Sequence, residues 1–116
     1  MTKTVLEQLR KICLTLPETI ETSAFGHPNF KAGKKTFVTY ENFKGQDSIA
    51  FRVDPLQFDA LLLDPRFFAT PYGRGQWLSL PVDKAVDWSL VKDKVSSSYR
   101  LVANKRMLVS LEQHKQ

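Results

Sequence analysis

The sequence of 116 residues has one cysteine, Cys13, and two histidines, His27 and His114. A single thiol excludes any disulfide within the chain. One cysteine with two histidines also cannot supply the usual four ligands of a structural zinc. Cys13 sits among Ile12, Leu14 and Leu16, a setting for a small buried apolar residue rather than a reactive thiol. No apolar run approaches the ~18 residues that suggest a membrane span, and the first residues hold no signal-type apolar region. The expected setting is therefore the cytoplasm, with no membrane partner.

Catalytic patterns are scarce as well. Gly73-Arg74-Gly75 has neither the Walker spacing nor the full dinucleotide glycine triplet, and it precedes a strand rather than a helix. Ser96, Ser97 and Ser98 have no histidine or lysine at a spacing that would activate a serine nucleophile. Asp54, Asp59 and Asp64 diverge around a short helix, so they form neither a carboxylate pair nor a calcium loop. His27 stands alone before Pro28, without a partner for general-base work. No catalytic residue, metal ligand or cofactor is expected, and the chain does not read as an enzyme.

What is present is an ordinary globular balance, with 42% hydrophobic and 25% charged residues. It reads as one domain over 1–116, its core spanning about 4–108 and 109–116 forming a frayed tail. Thr4 and Glu7 have capping-box spacing, and Val5, Leu6, Leu9, Ile12, Cys13 and Leu16 repeat at helical intervals up to the stop at Pro17. Residues 18–23 are polar and read as a connection. Strands follow over 30–32, 36–40 and 48–53, with turns at Gly33-Lys34 and across 42–46. Asp54-Pro55 opens a short helix with Phe58, Leu61 and Leu62 on its apolar face. Strands over 67–70 and 76–80 come next. A final helix capped by Asp87 carries Trp88, Val91, Val95, Tyr99 and Val102 and ends near Asn104. The expected fold is α+β: helix, three antiparallel strands, helix, two strands, helix, with one sheet covered by helices.

The net charge is +5, and it is unevenly spread. Residues 71–116 hold eight lysines and arginines against four acids, whereas residues 35–70 hold four against five. Lys31, Lys34 and Lys35 flank the first hairpin turn, Arg74 tips a second turn, and Arg100, Lys105 and Arg106 lie near the end of the last helix. Such flexible cations can reach phosphates without reading sequence. They equally serve as guards of a sheet edge or as partners of a helix dipole. No helix carries base-reading Arg and Asn pairs, so any DNA binding is expected to be weak and non-specific. Phe43, Tyr72 and Trp77 are the aromatic contact candidates, for bases or for an unknown protein or small ligand.

The run from Leu9-Arg10-Lys11-Ile12 to Leu16-Pro17-Glu18, then Phe25-Gly26-His27-Pro28-Asn29-Phe30 and Gly33-Lys34, resembles the MmcQ/YjbR family. So do Asp64-Pro65-Arg66-Phe67-Phe68, Pro71-Tyr72-Gly73, Gly75-Gln76-Trp77-Leu78, Asp87-Trp88 and the stretch Ser98-Tyr99-Arg100-Leu101-Val102-Ala103-Asn104-Lys105-Arg106. The resemblance implies the helix and strand order above, similar to secretion-chaperone folds. It also implies DNA binding through two hairpin projections. Between Tyr72 and Trp77 the only charge is Arg74, where the branch nearer YjbR has a longer, more basic stretch.

Overall fold

The Thr4 hydroxyl oxygen accepts the Glu7 amide at 3.1 Å and so starts helix α1, Val5–Cys13. The computed structural model describes residues 4–24, 26–71, 75–83 and 85–113. After α1 come four strands, β1 (Thr19–Ala24), β2 (His27–Ala32), β3 (Lys35–Phe43) and β4 (Gln46–Arg52). A 3₁₀ turn, Pro55–Gln57, runs into α2 (Phe58–Leu61), followed by β5 (Phe68–Ala69) and β6 (Trp77–Pro81). Helices α3 (Trp88–Val102) and α4 (Lys105–Gln113) complete the described chain. The strands form one sheet in the order β1-β2-β3-β4-β6-β5, with every pairing antiparallel. This is the expected α+β class.

Two elements differ from the sequence expectation. Residues 18–23, read as a connection, belong largely to β1, an edge strand paired with β2 along its whole length. Residues 109–116, read as a frayed tail, are helical as far as Gln113, with Leu111 and Met107 buried in the core. The helix expected to end near Asn104 is α3, and α4 is an additional helix beyond it. Ala103 takes an extended conformation, ψ 141°, that ends α3, and the Asn104 side chain accepts the Met107 amide at 2.9 Å to start α4.

Strand alternation sorts the sheet into two faces. Phe30, Val38, Phe51 and Leu78 line up across four strands, with Tyr40, Ile49 and Leu80 in the next row. These pack with Leu9 and Cys13 of α1 and with Val91, Val95 and Tyr99 of α3. The opposite row, Asn29, Thr39, Ala50 and Ser79, is small and, apart from Ala50, polar.

A bulge fixes how α3 sits on this sheet. Phe30 pairs with Val38 but Lys31 pairs with Thr36, so Phe37 is the extra residue. Ser98 of α3 meets it: its hydroxyl donates to the Phe37 carbonyl and accepts the Arg52 amide. One step on, Tyr99 sets its ring edge-on to Phe37 at 5.5 Å and donates its hydroxyl to the Pro17 carbonyl at 2.7 Å. One helical turn therefore ties α3 to β3, to β4 and to the chain leaving α1.

Candidate nucleic-acid interface

The β2–β3 turn is built on Gly33, whose φ of +63° favours glycine. A Cβ there would stand 2.8 Å from the Met107 side chain, so α4 lies directly against this turn. The Gly33 amide also donates to the Glu18 carbonyl at 3.3 Å. Glu18 itself holds a positive φ of 56°, and its carboxylate takes two hydrogen bonds from Arg106, at 2.9 and 2.6 Å. The Arg106 guanidinium holds the Glu18 carboxyl below its usual range. Three segments distant in sequence thus meet: the exit from α1, the β2–β3 turn and the start of α4.

That meeting gathers cations that the sequence places in two separate clusters. Lys34 and Lys35 at the turn are exposed, as are Lys105 and Arg106 at the first turn of α4. The positive end of the α4 dipole adds to their field, and no acid lies in that first helical turn. Lys34, Lys35 and Lys105 hold no ion pair among the described residues.

The remaining candidates divide. Lys31 pairs with Thr36 while Lys35 pairs with Ala32, so alternation puts Lys31 on the other face of the hairpin from Lys35. Arg100 reaches Glu112 at 3.3 Å, which ties α3 to α4. Trp77 is only 8% exposed, and the Arg52 guanidinium covers its ring at 5.1 Å, so it is packed rather than presented to a partner. Tyr72, Arg74 and the Phe43 side chain lie outside the described residues.

The Cys13 thiol is fully buried, and burial pushes it well above its usual range, which fits the inert reading of that residue. Among the described residues no group of three histidine, cysteine or carboxylate side chains could hold a metal ion. No helix among them is long and apolar enough to cross a membrane.

The YjbR family profile matches residues 14–101, three-quarters of the sequence. The chain belongs to the YjbR family. Solved structures agree on the fold of this YjbR domain. It is similar to the Deinococcus radiodurans protein DR2400, described as a DUF419 domain, with TM-score 0.72 and 22% identity over 92% of this chain and 87% of that one. A Pseudomonas syringae protein is similar with TM-score 0.68 and 12% identity, covering 85% of this chain and 98% of that one. No curated protein matches the sequence.

One part of the YjbR domain escaped the sequence reading altogether. A cleft of about 670 Å³ opens between α1 and α3, lined among others by Lys11, Ile12, Trp88, Lys92 and Val95. The apolar stripe of α1 was the available signal. It is wider than its core contacts need: Leu9 and Cys13 are buried, whereas Ile12 and Leu16 are only half-buried and line the cleft.

Proposed function

We propose that this YjbR domain is a non-enzymatic cytoplasmic protein that binds DNA weakly and without sequence preference. The observation that carries this reading is the convergence of the β2–β3 turn and the start of α4, joined at Gly33 and Met107. It brings the exposed Lys34, Lys35, Lys105 and Arg106 near one another, with the positive end of the α4 dipole at Lys105 and Arg106. Lysine ammonium groups on flexible stems suit phosphates, which position a duplex without specifying its sequence. Arg106 is shared with Glu18, so its contribution to a phosphate is the smaller one.

Fluorescence anisotropy of a short labelled duplex, measured from low to physiological salt, tests the reading. With three to four phosphates neutralised, log affinity should fall with log salt at a slope of about −3 to −4. The triple variant Lys34→Ala/Lys35→Ala/Lys105→Ala should lower low-salt affinity at least about tenfold and flatten the slope. No low-salt binding by the wild type, or equal binding by the variant, would sink the proposal.

A second reading, a small-ligand-binding module, is favoured by the α1–α3 cleft with Trp88 in its wall.

A further inference from the structure

The α1–α3 cleft combines features that seldom meet on a bland surface. Its volume, about 670 Å³, falls in the range of small-molecule sites. Its apolar lining comes from Ile12 of α1, Leu16 just beyond it, and Trp88 and Val95 of α3. Val95 is essentially inaccessible, so this wall continues into the protein core rather than ending on the surface.

The polar part of the lining is one-sided. Lys11 from α1 and Lys92 from α3 both border the cleft, with the neutral Gln8, Thr15 and Ser96, and no carboxylate among the described residues lines it. Lysine stems lie along apolar surface while the ammonium groups stay at its edge. An apolar lining bordered by two lysines and three neutral polar side chains complements an apolar body ending in an anion.

We infer that this cleft binds an amphipathic organic anion, a carboxylate with an alkyl or aryl body, its tail against Ile12, Leu16, Trp88 and Val95 and its carboxylate held by Lys11 and Lys92. The inference is independent of DNA binding, since neither lysine belongs to the basic patch at the β2–β3 turn. Charge selects the class. A neutral ligand of the same shape gains only the apolar contact, and a cation is repelled from the rim. A charge-assisted hydrogen bond to a carboxylate is roughly twice as strong as a neutral one, so the anion should win clearly over its alcohol.

The experiment uses three probes with one alkyl chain: decanoate, decanol and decylammonium. Each is titrated into the full-length protein labelled with nitrogen-15, following the Trp88 and Trp77 indole signals, with calorimetry for affinity. Decanoate should bind saturably and shift Trp88 but not Trp77, about tenfold or more tighter than decanol, with decylammonium weakest. Lys11→Gln/Lys92→Gln, two changes on helix surfaces, should cost decanoate about tenfold while leaving decanol unchanged. Ser96→Trp, which fills the cleft, should abolish binding of both. The inference is overturned if decanoate gives no saturable shift, if decanol binds equally well, or if the double glutamine variant binds decanoate like the wild type.

Discussion

Where α3 meets β3 and β4, the contacts are buried and uncharged; where α4 meets the β2–β3 turn, a buried methionine is joined by an exposed ion pair. The first junction rests on the Ser98 hydroxyl bridging two backbone groups and on Tyr99 wedged against Phe37. The second rests on the Glu18–Arg106 pair and on Met107 lying over Gly33. Burial makes the difference. A hydrogen bond with no water to replace it is costly to lose, whereas an exposed ion pair exchanges its partner for solvent at little cost. The domain therefore has one junction that defines the fold and another that positions charge.

The largest test of this contrast is Tyr99→Ala. It removes a fully buried ring and the hydroxyl bonded to Pro17, and should cost about 3–5 kcal/mol in a urea titration. A loss below about 1 kcal/mol would place the two junctions on the same footing. Ser98→Ala should come next, at about 1–3 kcal/mol, because the Arg52 amide and the Phe37 carbonyl lose their shared partner. The smallest effect belongs to Arg106→Gln, which should leave the urea midpoint within error. Its signature lies in hydrogen exchange, with faster exchange confined to α4 and a smaller difference from wild type at high salt.

Acidification sharpens the same comparison. Arg106 depresses the Glu18 carboxyl, so the pair's contribution is whole above the ordinary carboxylate range and fades as the pH falls through the lower folded value. Exchange in α4 should accelerate over that acidic window while the amides around Ser98 stay protected. Uniform acceleration across both junctions would contradict the separation.

Local chemistry was the legible part of this fold. Thr4 caps α1, Asp54 caps the 3₁₀ turn and Asp87 caps α3, each through its own side chain as its position announces. Turns at Gly33 and Gly45 follow from glycines, which tolerate positive φ, whereas the positive φ of Lys44 is not announced by its residue type. Strand β1 was not legible, because its sequence Thr-Ile-Glu-Thr-Ser-Ala shows no apolar alternation and its order comes from pairing with β2. Helix α4 hid for a related reason. Its nine residues are too short for a free-standing helix, and only docking on the core makes Met107 and Leu111 a buried face. The basic patch was half legible: each cluster of cations shows in the sequence, but their meeting depends on Gly33 leaving room for Met107.

The two margins of the sheet carry a further consequence. On one side the outermost strand, β5, offers just two residues of backbone. On the other, β1 is longer but mostly polar, with Glu21 clasped by Arg10 of α1 in a two-pronged ion pair. A stray extended segment seeking amide partners would find one margin too short to grip and the other guarded by charge. The arrangement disfavours growth of the sheet from chain to chain.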